Sequence, residues 1–230
     1  MIEPSKSPSV TLIDLDRNVS CTGILPNYPI SGNGKVMGDV LSPYNVFMSC
    51  GGCLSLDCYE SDNSCFYLDL HSPKMEFVPF TPSLVLDQRS GESGIAIDDQ
   101  TIWINGGRPF LNTTKLLSLQ GTREGPNLPF LIADHCMVKV GSHLAIIGGR
   151  LGTHGDYGEG VTTNQVHFYD FETEEWTVGP NLTWARYDHA CTTYEINGTE
   201  YIMVLGGYGW PRLDVEFLDP QTLDKWLAGI

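Results

Sequence analysis

Leu144-Ala145-Ile146-Ile147-Gly148-Gly149 is a short apolar run that ends on two glycines, and the same device recurs elsewhere in the chain. FMSCGG ends at Gly52, IWINGG at Gly107 and YIMVLGG at Gly207, so successive diglycines lie 55, 42 and 58 residues apart. Self-similarity at that period marks a repeat architecture. Each run is short, bounded by glycine and rich in Ile, Val, Met and Trp, which reads as a buried strand. The diglycine lets the backbone leave the strand through conformations that side chains forbid. Four such units describe a ring of sheets.

The flanking sequence fills in the rest of each unit. The strand NQVHFYDF follows the third diglycine, then a turn at Glu172-Thr173-Glu174 and then Trp176. LDVEFLDP, a turn and Trp226 follow the fourth; SCFYLDL, a turn and Phe77 follow the first. After the second comes TKLLSL with no tryptophan beyond it, so its outer strand reads as degenerate. Upstream strands SGIAID, DHCMVKV and HACTTYEI precede the last three diglycines, joined to them by turns at Asp98-Asp99, Val140-Gly141 and Asn197-Gly198. Asn-Gly between two apolar strands is a strong hairpin signal.

The diglycine, the aromatic- or Leu-Asp step (Tyr169-Asp170, Leu218-Asp219, Leu68-Asp69) and the aromatic after the next turn (Trp176, Trp226, Phe77) together resemble the kelch repeat family over roughly residues 40 to 228. The resemblance implies an all-β, kelch-type β-propeller of four-stranded blades. The expected blades are residues 35–80, 93–129, 133–180 and 188–230, with a partial N-terminal blade at 9–30. Four blades and part of another read as a piece of a longer ring. The physics is coherent: one blade cannot bury its apolar faces alone, and Trp176 is expected to fill the space between adjacent sheets.

The chain has 230 residues, 25 Gly, 14 Pro and a net charge of −15, from 28 acidic and 13 basic residues. The glycine and proline suit a turn-rich β protein. The charge disfavours nucleic acid and anionic lipid as partners, and no apolar run approaches the roughly 20 residues that span a bilayer. The first residues, MIEPSKSPSV, carry no secretion signal pattern, which points to a cytoplasmic protein. Four glycosylation sequons point the other way, at Asn18, Asn112, Asn181 and Asn197, as does a cysteine cluster. The expectation is a secreted glycoprotein whose leader is missing.

Cys50, Cys53, Cys58 and Cys65 fall within sixteen residues and read as disulfides stapling a loop, with three possible pairings. The two-residue gap between Cys50 and Cys53 also suits a metal or redox pair, but no matching histidine cluster follows. Cys136 and Cys191 occupy corresponding upstream strands and read as buried thiols. Asp134-His135 and Asp188-His189 recur at equivalent positions and read as structural ties between repeats. The glycine-rich loop 152–160 lacks the lysine and helix of a phosphate cradle, and Asp156 with Glu159 falls short of a calcium shell; it reads as a mobile loop on one face.

Arg108, Arg150, Tyr208 and Trp210 follow diglycines, and Arg186 and Tyr187 lie between repeats. In so acidic a chain, arginines gathered at one rim stand out, and Arg, Tyr and Trp dominate binding hot spots. These six residues are the expected binding surface for a protein or glycan. No catalytic residue, metal or cofactor is expected. The alternatives are a metal-dependent enzyme resembling galactose oxidase, whose two-Tyr, two-His set finds no match here, and an intracellular kelch adaptor for protein ubiquitination. Such adaptors add a helical assembly domain, a pattern not read in these residues.

Overall fold

The computed structural model describes residues 12–14, 19–21, 37–52, 63–74, 76–80, 89–156, 158–209, 214–219 and 227–228. Among them there is no α-helix; Ser42–Tyr44 form one turn of 3-10 helix. Four antiparallel sheets of four strands follow one another along the chain. The first comprises Met37–Leu41, Val46–Cys50, Cys65–Asp69 and Phe77–Pro79; the second Ser93–Ala96, Ile102–Asn105, Thr114–Ser118 and Gly121–Glu124. The third comprises Cys136–Val140, His143–Ile147, Val166–Asp170 and Glu175–Val178; the fourth Ala190–Ile196, Thr199–Leu205, Val215–Leu218 and Leu227–Ala228. In each sheet the strands lie side by side in chain order. Leu12–Asp14 and Val19–Cys21 pair as a separate hairpin.

The first strands of consecutive sheets touch in sequence, first to second, second to third and third to fourth. This stacking explains why the diglycine strands are continuously apolar. Side chains alternate between faces along a strand, and here both faces are covered. Ile102 and Ile104 pack with Met48 and Leu41 of the first sheet, whereas Trp103 between them packs with Leu144 and Ile146 of the third. Ala145 and Ile147 turn the other way, towards Ile202, Val204 and Leu218 of the fourth. Each fully buried aliphatic side chain contributes roughly 1.5–3 kcal/mol.

The diglycines are required by both backbone and space. Gly148 and Gly149 have φ of +57° and +96°. A Cβ on Gly148 would lie 2.7 Å from the Arg186 carbonyl oxygen and 2.8 Å from His189 Cε1, and one on Gly149 would lie 2.7 Å from His135 Cβ. The pair is thus clasped between the histidine of its own sheet and that of the next. Gly106 repeats the contact with the Ile132 carbonyl oxygen and His135 Cε1, at 2.6 and 2.8 Å. The recurring histidines therefore sit at the junctions between sheets.

Several expectations are modified. The second unit, which lacks the late aromatic, still forms its outer strand, Gly121–Glu124, in register with Lys115–Ser118. Sheet pairing uses the backbone, so the strand forms with Thr122 opposite Leu117 where the third sheet has Trp176 opposite Tyr169. Trp176 is half-buried, packs against Tyr169 with ring centroids 5.0 Å apart and planes tilted by 52°, and donates from Nε1 to the Asn127 carbonyl at 3.1 Å. Cys136 and Cys191 are not thiols: they form a disulfide between the first strands of the third and fourth sheets, with Cα atoms 6.0 Å apart. Their side chains share one junction, which the separate reading of each strand did not reveal. Cys50 and Cys65 are bonded across paired strands; Cys53 and Cys58 lie outside the described residues.

Candidate functional site

The residue after each of the last three diglycines pairs with the segment leading into the first strand of its own sheet. The antiparallel pairs are Ser90 with Arg108, Ala133 with Arg150 and Tyr187 with Tyr208. Three equivalent backbone positions therefore carry Arg, Arg and Tyr. The segment reaches them through a left-handed residue, Gly91 (φ +67°), Asp134 (+57°) or Asp188 (+50°).

The two arginines converge on one carboxylate. Arg108 donates to Asp134 Oδ2 at 2.8 Å, and Arg150 Nε lies 3.1 Å from the same oxygen, whose side chain is fully buried. Arg108 also donates to the Gly158 carbonyl at 2.9 Å, while Arg150 donates to the Glu159 carbonyl at 3.2 Å and to its carboxylate. Gly158 and Glu159 of the glycine-rich loop thereby contact the arginine pair. Phe110 donates its backbone N–H to the Asp156 carbonyl at 3.0 Å and adds a further contact to the loop. Breaking a buried pair of this kind by removing one partner costs about 3–5 kcal/mol.

On its other side Arg150 lies 3.8 Å over the Tyr187 ring, and Tyr187 stacks on Tyr208 with centroids 5.4 Å apart and planes 20° from parallel. Arg108 and Arg150 are buried, Tyr187 is half-buried and Tyr208 is 52% exposed. Charge, ring and ring form a ladder from the interior to the surface. A guanidinium over an aromatic face is favourable by about 0.5–2 kcal/mol.

Arg186 stands apart from this group. It is 2% exposed, donates to the Gly206 carbonyl at 3.0 Å and pairs with Asp214 at 2.8 Å and the fully buried Glu216 at 2.6 Å. Arg89 does the equivalent work in the second sheet, donating to the Gly106 carbonyl and to Thr113 Oγ1, each at 3.0 Å. Of the six expected binding residues, the structure brings together Arg108, Arg150, Tyr187 and Tyr208. It buries Arg186 within the fourth sheet's own framework, and Trp210 lies outside the described residues. Sequence reasoning missed Asp134 and Glu159 as anchors. The signal was present: two arginines at equivalent places in consecutive repeats require a counter-charge, and Asp134 precedes the recurrent histidine.

His135 and His189 carry no charge at neutral pH. Burial pushes His135 down to about 4 against the opposing pull of Asp134. Burial also pushes His189 down to about 3, reinforced by the Arg186 and His135 charges. Asn105 Oδ1 accepts from His135 Nε2 at 2.7 Å. Among the described residues no group of three or more His, Cys, Asp or Glu side chains is placed to hold a metal. Of the sequons, Asn181 and Asn197 are exposed; Asn112 is half-buried with its amide donating to the Leu128 carbonyl at 3.2 Å, and Asn18 lies outside the described residues. No helix among the described residues is long and apolar enough to cross a membrane.

The chain matches no protein-family model and no curated protein.

Proposed function

We propose that this chain is a secreted kelch-type β-propeller acting as a non-enzymatic binding module for a protein or glycan surface. Supporting the ring are the four sheets in series, whose first strands meet in order and whose last two junctions repeat one glycine–histidine contact. Supporting secretion are the two disulfides, since such bonds persist in oxidising compartments.

The observation that carries the binding reading is the ladder of Arg150, Tyr187 and Tyr208. Binding favours aromatic surface that is already held in place, because little freedom is then lost on association. Tyr208 offers its ring to a ligand; Tyr187 fixes that ring from behind, and Arg150 with Asp134 fixes Tyr187. The arginines thus act as the frame of the surface, and the tyrosine makes the contact.

The test presents the full chain to an array of defined glycans and, in parallel, to a panel of purified extracellular proteins. A ligand held by the natural chain is expected to lose about 30-fold in affinity with Tyr208→Ala, the level of a hot-spot residue, at unchanged melting temperature. Binding that is indifferent to Tyr208→Ala, or absent from both panels, rejects the reading.

A further inference from the structure

Three of the four sequons fall among the described residues, and the fold treats them differently. Asn112 is a clip. Its Nδ2 donates to the Leu128 carbonyl at 3.2 Å, and its backbone carbonyl accepts from the Leu128 N–H at 2.8 Å. Asn164 makes the same pair of bonds to Leu182 in the next sheet, at 2.9 and 2.8 Å. Asn164 is followed by Gln165 and Val166 and belongs to no sequon. Asparagine at this position is therefore explained by the repeat, with or without a threonine two residues on. In the Asn112 sequon that threonine, Thr114, is fully buried, and Thr113 accepts from Arg89 at Oγ1.

Asn181 and Asn197 are exposed. Asn181 lies between Val178, the end of the third sheet's last strand, and Arg186, which leads into the fourth sheet. A sheet stands on either side of it, so its exposure belongs to the junction. The Leu182 N–H donates to the Asn164 carbonyl, and the Thr183 N–H to Glu216 at 2.7 Å. These bonds fix the backbone while the Asn181 side chain and Thr183 stay open to solvent. Asn197 opens a hairpin turn. The strand before it, Ala190–Ile196, follows His189 directly as Cys136–Val140 follows His135, but has seven residues against five. At about 3.4 Å per residue the tip stands about 7 Å beyond its counterpart in the third sheet. A sheet of the third sheet's dimensions packed alongside does not reach it, and a Cβ placed on Gly198 meets no atom within 4 Å.

We infer that Asn181 and Asn197 are the glycan acceptors among these three, and that Asn112 is held back by its structural role. The inference rests on the reading of the chain as secreted. The acceptor Nδ2 attacks the anomeric carbon of a lipid-linked oligosaccharide pyrophosphate. A C–N bond forms, the sugar–oxygen bond breaks with its electron pair on the departing pyrophosphate, and the nitrogen gives up one proton. The product amide keeps one N–H and carries a bulky polar group. At Asn181 and Asn197 that group projects into water. At Asn112 it competes for a half-buried site with the Leu128 carbonyl, and sugar added before folding would have to be accommodated at the clip. The folded population is therefore expected without it. Register sets the two sugars at opposite ends of the sheets. Ile196 and Thr199 pair at the end far from Ala190 and Leu205, whereas Val178 pairs with His167, next to Val166 and Ile147 at the diglycine end.

The test expresses the full chain behind an added secretion leader in animal cells. The protein is treated with a glycan-releasing amidase in water enriched in heavy oxygen, which converts each glycan-bearing Asn to a labelled Asp, and is mapped by peptide mass. Label is expected at Asn181 and Asn197 and not at Asn112. Asn181→Gln and Asn197→Gln should each remove one glycan from the intact mass. Asn112→Gln should leave the glycan mass unchanged and lower the melting temperature by about 2–4 °C, as Asn164→Gln does. Label at Asn112 to the extent seen at Asn181, or its absence from Asn181 or Asn197, overturns the inference. So does an Asn112→Gln chain as stable as the natural one. Chain retained inside the cells is mapped in the same way, so poor export does not spare the inference. The added leader supplies the compartment, so these outcomes bear on the choice of site alone. Reduced Cys136 and Cys191 in protein from its natural source would strike the secreted reading instead.

Discussion

The junction between the second and third sheets and the junction between the third and fourth share a frame and are closed by different chemistry. In both, the first glycine of a diglycine meets the next sheet's histidine Cε1 and the backbone carbonyl three residues before that histidine: Gly106 with His135 and Ile132, Gly148 with His189 and Arg186. The residue before the diglycine then diverges. Asn105 accepts a hydrogen bond from His135, whereas Ile147 stands in its place and His189 lies beside the Ile147 carbonyl without an aligned bond to it. Both junctions hold a buried apolar cluster; the earlier one adds the buried group of Arg108, Asp134 and Arg150, the later one the Cys136–Cys191 disulfide. The difference teaches that steric closeness at glycine and apolar packing are the shared part of these two junctions, and that polar and covalent closures are interchangeable around it.

The largest effect is expected where the two junctions agree. Gly106→Val and Gly148→Val each place a Cβ within 2.6–2.7 Å of a backbone carbonyl oxygen and force a β-branched residue into φ of +65° or +57°. Each is expected to cost about 5 kcal/mol or more, the range reserved for severe backbone and packing conflicts. Denaturant unfolding measures it. If either variant unfolds within 1 kcal/mol of the natural chain, a tolerance small on the scale of typical mutational effects, glycine is not what holds that junction.

This shared part is also what the sequence displays most openly. LAIIGG and its three relatives announce strand, exit and spacing together, because apolar content and glycine are local properties. The hairpin at Asn197-Gly198 is equally open, since both residues adopt the left-handed conformation their types favour (φ +52° and +81°). What varies between junctions depends on residues far apart in the chain. Asn105 and His135 are thirty positions apart, and Asp134 joins Arg108 to Arg150. The Cys136–Cys191 bond crosses 55 positions; each strand alone reads as a buried thiol. The candidate site followed the same division. That Arg and Tyr follow the diglycines is legible; which of them is exposed is decided by partners such as Asp134, Glu159 and Glu216 that only the fold brings near.

The next effect separates the junctions. Cys136→Ser combined with Cys191→Ser removes a cross-link closing a loop of 55 positions, worth about 4 kcal/mol in the chain-entropy treatment. The loss is expected in full in denaturant unfolding, and reduction of the natural chain with a thiol reagent should reproduce most of it. Equal stability of the serine pair and the natural chain under oxidising conditions would mean the later junction is closed by its aliphatic cluster alone.

The smallest effect comes from acid and distinguishes the two histidines. Both imidazoles are pushed below their ordinary value of 6.5, His135 to about 4 and His189 to about 3. A depressed folded-state value means that the unfolded chain takes up the proton first. The stabilisation is therefore complete above pH 6.5 and is lost as pH falls from there towards the folded values. Between pH 7 and 5 each histidine is expected to cost about 2 kcal/mol of stability. His135→Asn and His189→Asn, followed by urea unfolding at pH 7, 6 and 5, should each remove about half of that slope. The order of protonation is set by the neighbours: Asp134 favours charge on His135, whereas Arg186 opposes it on His189. Acid should thus loosen the polar junction before the disulfide-closed one, seen as earlier titration of the His135 ring resonances. A natural chain with the same stability at pH 5 as at pH 7 would show that neither imidazole is held neutral by burial, and the glycine–histidine frame would lose its electrostatic account while keeping its steric one.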